Sequence, residues 1–120
     1  MSAARVGLAA MAAAITWALT APAAVAQDPE CDIILPAANR LEAAFNLITA
    51  DPPPNVGTQV QTAQSPLFGL TSPAAIDLRL WSSTVADQLN GTNPYHAADL
   101  DSDLRHARQE LVEARQYCAP

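Results

Sequence analysis

AADLDSDLRHARQELVEARQYC, residues 97–118, has apolar side chains at Ala97, Leu100, Leu104, Ala107, Leu111, Ala114 and Cys118. They recur at steps of three and four without a slip, the spacing of one apolar stripe along a long helix. An earlier stretch keeps the same rhythm at Cys31, Ile34, Ala38, Leu41, Phe45 and Ile48. Each stripe holds one of the chain's two cysteines, at opposite ends. A Cys31–Cys118 bond therefore clamps the start of the first helix to the end of the last, and the two run antiparallel. Counting inward sets Ile34 on Ala114, Ala38 on Leu111, Leu41 on Ala107, Phe45 on Leu104 and Ile48 on Leu100. Large side chains mostly meet small ones, as an interdigitated seam requires.

The N-terminal segment, residues 1–26, reads as an export signal. Arg5 supplies the positive charge, Val6 to Leu19 is uncharged and largely apolar, and Ala24-Val25-Ala26 has the form of a cleavage site. Cys31 does not follow that site directly, so lipid attachment is not expected. Cleavage after Ala26 leaves Gln27 to Pro120 as a single domain with no membrane anchor. Without Arg5 it has five Arg and no Lys against twelve carboxylates, a net charge of −7. That balance disfavours nucleic acid and anionic membrane surfaces as partners. A chain this short builds a thin core, and export exposes it to an oxidising compartment. The cysteines have no CxxC spacing and no neighbouring His, which favours a disulfide over a metal-binding thiol pair.

Pro36 is tolerated only in a first turn, so the first helix is expected to begin near Leu35, with Cys31 to Ile34 as an irregular lead-in. Pro52-Pro53-Pro54 stops it. Val56, Thr58, Val60 and Thr62 alternate like a strand, but one strand is not stable alone, so Asn55 to Thr71 reads as coil. Leu67, Phe68 and Leu70 make an apolar knot within it. The middle helix is clearly punctuated: Ser72 as N-cap, Pro73 at the first helical position, and Gly91 to end it. Its stripe is Ala74, Leu78, Trp81, Val85 and Leu89, with Ile76 and Leu80 left on the opposite side.

The short link Gly91 to Asn93 makes the middle and last helices antiparallel neighbours. The first and middle helices then run the same way, and the residues between them return the length of the bundle. The expected fold is all-α: a small three-helix bundle with a long irregular connector between helices 1 and 2, clamped by one disulfide.

Chemistry-bearing residues gather on one flank of the last helix, where His96, Asp99, Asp103, His106, Glu110 and Glu113 step by three and four. Imidazole and carboxylate at that spacing make His96, Asp99, Asp103 and His106 the candidate ligands for a divalent metal. The competing reading is the solvated flank of an amphipathic helix. Asp99, Asp101, Asp103 and Glu110 copy part of a calcium loop, but Leu104 stands where that loop needs Gly. An acidic first turn, favourable against the helix dipole, explains them better. No nucleophile elbow, zinc-protease motif or phosphate loop is present, so no enzymatic activity is expected.

An apparent export signal, one Cys near each end and helical periodicity together resemble the small secreted two-cysteine helical proteins of actinobacteria, some of which bind haem. The resemblance implies haem as a possible cofactor, with Tyr95, His96, His106 and Tyr117 as the side chains able to ligate iron. The residues themselves point to a non-enzymatic interaction module, secreted or held in the cell envelope, monomeric or weakly associating. A haem or divalent-metal carrier is the alternative. The candidate partner surface is Ile76 and Leu80 with Leu67 and Phe68. Its rival is an intramolecular plug in which the knot covers Ile76 and Leu80.

Overall fold

A computed structural model describes residues 27–91 and 99–120. It is an all-α domain of four helices: α1 (Cys31–Phe45), α2 (Val56–Gln64), α3 (Pro73–Leu89) and α4 (Leu100–Tyr117), with a 3-10 turn at Ser65–Leu67. The three-helix expectation is therefore corrected. The connector between α1 and α3 is not coil: it contains α2, which packs against both. Val56, Val60, Ala63 and Leu67 are all buried. They are spaced four, three and four apart, so one helical face runs through the helix and the 3-10 turn. The two valines fit a period of two as well as a period of 3.6, and that coincidence hides the helix. Two Val, two Thr and a Gly among its nine residues are poor helix formers. Burial of the apolar face, not propensity, holds it helical.

Each helix packs on its neighbours in sequence, and α4 closes the ring on α1. The Cys31–Cys118 disulfide is present, with the Cα atoms 5.6 Å apart. Arg115 on α4 reaches Glu42 and Asn39 of α1, and Arg108 reaches the Phe45 carbonyl at 3.1 Å, so these helices are antiparallel. Gln88 and Trp81 of α3 meet Asp103 and His106 of α4 in the same antiparallel sense. The return between α1 and α3 is thus made by a helix running back between them.

α1 begins at Cys31, four residues before the expected start, and continues through Pro36. Proline removes the N–H that would bond the Asp32 carbonyl. Both residues lie on the exposed side of the helix. The Asp28 carboxylate accepts the Glu30 N–H at 2.8 Å and helps set the start. The helix ends at Phe45, where Leu47 and Ile48 donate N–H bonds to Ala44 and Phe45 in a tightened last turn. Cys31, Ile34, Ala38, Leu41 and Phe45 are buried as expected, and Ala37 and Ala44 join them because α1 faces two helices. On the opposing stripe Ala107, Leu111, Ala114 and Cys118 are buried, while Leu100 and Leu104 are only partly covered.

The punctuation of α3 stands as read. The Ser72 hydroxyl accepts from the Ala75 N–H at 3.4 Å. Pro73 opens the helix, and Gly91 follows it at φ +69°, a conformation that glycine adopts without strain. The buried arc is wider than the expected stripe, adding Ala75, Ser82 and Ala86, since α3 lies between α2 and α4. Gly57 of α2 sits against Asn90 so closely that an added Cβ would lie 2.1 Å from its Oδ1.

Residues 1–26, which hold the expected export signal, and 92–98, which hold Tyr95, His96 and Ala97, lie outside the described residues. No helix among the described residues is long and apolar enough to cross a membrane.

Candidate functional site

The 3-10 turn separates the apolar knot. Leu67 is fully buried, and the chain then becomes extended at Phe68, turning that ring outward. Gly69, at φ +84°, reverses the chain so that the Leu70 N–H returns to the Leu67 carbonyl at 3.3 Å. The α3 start is tied to this reversal by Glu30. Its carboxylate accepts the Thr71 and Ser72 N–H groups at 2.9 Å each and the Thr71 hydroxyl at 3.2 Å. Those donors hold the Glu30 carboxyl down to about 2, the two backbone N–H groups having the largest effect.

Along α3, Ile76, Arg79 and Leu80 share the side away from Leu78, Ser82 and Val85. Leu80 is 51% exposed and Phe68 56%. Ile76 is half-buried but lies outside the core cluster. The Arg79 guanidinium, on a partly buried side chain, sits 5.1 Å from the exposed Phe68 ring centroid, a cation–π contact worth about 0.5–1 kcal/mol. Of the four residues singled out from the sequence, then, Leu67 belongs to the core, and Phe68, Ile76 and Leu80 make an outer apolar face around Arg79. Leu67 and partly buried Leu70 plug the core, while Leu80 remains open to solvent.

The candidate metal ligands are placed differently. Asp103 is buried and accepts a hydrogen bond from Gln88, so it faces α3 instead of the solvated flank. The His106 ring stacks on Trp81 at 4.4 Å and 9°. Its Nδ1 is 2.9 Å from the Ser102 carbonyl, which can only accept, so Nδ1 carries the proton. Asp99 is exposed at the start of α4. Among the described residues no group of three His, Cys, Asp or Glu side chains is arranged to hold a metal. Glu110, next along the flank, has its carboxyl raised above the ordinary range by burial and then by Glu113. At the closed end of the ring Tyr117 donates its hydroxyl proton to Asp28, which raises the phenol.

A groove of about 360 Å³ lies between α1 and α2. It is lined by Arg40, Ala43 and Ala44 of α1, Leu47 in the turn that follows it, and Thr58, Gln59, Thr62 and Ala63 of α2. The run Arg40, Ala43, Ala44, Leu47 has helical spacing, but its meaning depends on a facing helix that the coil reading did not supply.

No family model, curated protein or solved structure matches the chain.

Proposed function

We propose that the protein is a secreted, non-enzymatic binding module whose contact surface is the outer face of α3. The observation that carries the reading is the exposure of Phe68 and Leu80 beside Ile76, while the core closes without them. Fully burying a side chain of this size is worth about 1.5–3 kcal/mol, so a face that leaves two largely in water gains from a partner that covers them. Arg79 at its centre supplies a directional polar contact of the kind enriched at interface hot spots. The non-enzymatic reading is supported by the placement of the titratable groups: His106 is stacked on an indole, and Asp103 is held by an amide. Export is supported by the charge and apolar pattern of residues 1–26.

The test is site-specific photo-crosslinking in the native host, with the crosslinker at Leu80 and, as control, at exposed Glu113. A discrete adduct at Leu80 that is lost in Ile76→Ser with Arg79→Ala, and missing at Glu113, is the expected result. Circular dichroism and melting of that double variant confirm that it remains folded. Indistinguishable adducts at the two positions would remove this face from consideration.

A further inference from the structure

The groove between α1 and α2 shares no residue with the α3 face, and its lining has a distinct character. Ala43 and Ala44 of α1 and Thr62 and Ala63 of α2 line it together, so short side chains share a space where a packed seam alternates large with small. The space left, about 360 Å³, falls in the range of roughly 300–1,000 Å³ typical of small-molecule sites. Its surface is chiefly carbon, from three alanines and Leu47, with the Thr58, Gln59 and Thr62 side chains along one rim. Arg40 is the one charged residue in the lining. Arg108 and Arg115 are engaged across the α1–α4 seam and Arg79 lies over Phe68, but Arg40 has no hydrogen bond or ion pair to any described residue. It is an unpartnered guanidinium at the end of an apolar trough, on a chain dominated by carboxylates.

The polarity of the trough follows from the helix register. Arg40 lies within α1 and Leu47 in the turn just after it, seven residues on, a span of about 10 Å at 1.5 Å per residue. α2 runs antiparallel, which places Thr62 and Ala63 by the Arg40 end and Thr58 and Gln59 by the Leu47 end. A ligand matching this surface has an anionic head, short of any bulky ring system, and an unbranched apolar body about as long as the trough. We propose that the groove binds a medium-chain fatty-acid anion, its carboxylate paired with Arg40 and its alkyl chain lying between Ala43, Ala44 and Ala63 toward Leu47. Guanidinium matches carboxylate bidentately, and the alkyl chain fills space that the protein's own side chains leave open. A second copy of the chain is a poorer fit, because two strongly acidic molecules repel.

The probe is decanoate below its micellar concentration, titrated into the purified, disulfide-closed protein and followed by amide chemical shifts. Decanol and decyltrimethylammonium, with the same tail and no negative head, are the comparisons. Saturable shifts confined to the Ala43, Ala44, Thr62 and Ala63 region are expected with decanoate, weaker ones with decanol and none with the cation. Preference for the anion is diagnostic, since the protein's overall charge favours the cation. Arg40→Gln is expected to weaken decanoate by about tenfold or more, as loss of a charge-assisted pair does. Ala43→Phe, at an exposed position, is expected to abolish binding with melting unchanged. Absence of saturable decanoate shifts, or equal response to decanol and decanoate, overturns the proposal without any variant. A concentration-dependent dimer blocked by Ala43→Phe assigns the groove to a second copy and overturns it too.

Discussion

At the scale of single residues, Glu30 shows how much organisation one side chain can supply. It stands just before α1, yet its carboxylate accepts three donors from Thr71 and Ser72, at the start of α3. Two of those donors are backbone N–H groups that no helix or strand would otherwise satisfy. The carboxyl is held near 2, below its ordinary 4.5, so the ionised form favours the folded state. That contribution is whole above pH 4.5 and fades as the pH falls toward about 2. Glu30→Gln removes the charge but retains one acceptor oxygen. The wild type is therefore expected to be more resistant to urea than Glu30→Gln at pH 6, with the difference shrinking to near zero at pH 2. A gap between urea midpoints that is constant across this range would assign Glu30 a packing role instead. This contact was not legible in the sequence, because it joins residues 41 and 42 positions apart that have no shared motif. Asp103 was misplaced for a related reason. Helical phase puts it at the edge of the polar flank, and only the Gln88 amide across the seam turns it inward.

Elements were legible where the sequence punctuates them. Ser72, Pro73 and Gly91 mark α3 by cap chemistry and backbone geometry that act locally, and the stripe ending at Cys118 marks α4 by phase alone. α2 has neither signal. Its nine residues lack a side-chain cap hydrogen bond, and its valines satisfy two periods at once. What decides it is tertiary: Val56, Val60, Ala63 and Leu67 are covered only when α1 and α3 stand on either side. The groove beside Arg40 was invisible for the same reason, since one of its walls is α2. A helix and a coil respond oppositely to proline at an exposed site. Gln61 is exposed within α2, and proline there loses the N–H that bonds the Gly57 carbonyl. Gln61→Pro is expected to cost about 3 kcal/mol or more. Gln61→Ala should leave stability unchanged or slightly raised, in line with the better helix propensity of alanine. Denaturant unfolding of the two variants settles the matter; equal stability would mean that residues 56–64 are not helical in solution.

At the scale of the whole molecule, the four helices make a ring whose closing contact is between its first and last members. That α1–α4 contact is the least extensive of the four. The others join helices adjacent in sequence, whose chain connections already hold them near each other. The closing one joins segments that the unfolded chain separates widely, and covalent chemistry is concentrated on it. The Cys31–Cys118 bond spans 87 positions, and in the chain-entropy treatment a loop of that length is worth about 4–5 kcal/mol. The Gln27 amide bonded to the Cys118 carbonyl, and the Tyr117 hydroxyl bonded to Asp28, reinforce the same end. Farther along, the Arg115–Glu42 pair at 3.1 Å is exposed and contributes little by itself. The α1–α4 seam therefore has a covalent bond at one end beside its packing. Cys31→Ser with Cys118→Ser is expected to lose about 4–5 kcal/mol of stability in urea unfolding. The loss should also have a direction. Amide hydrogen exchange in the double variant should rise first at the start of α1 and the end of α4, where the ring opens. Protection along the α3–α4 pair should persist longer, because Trp81, Val85 and Leu89 keep packing against the core when α1 swings away. Loss of protection that is uniform over all four helices would show that the disulfide acts only on the unfolded chain and that the seam closes by packing alone.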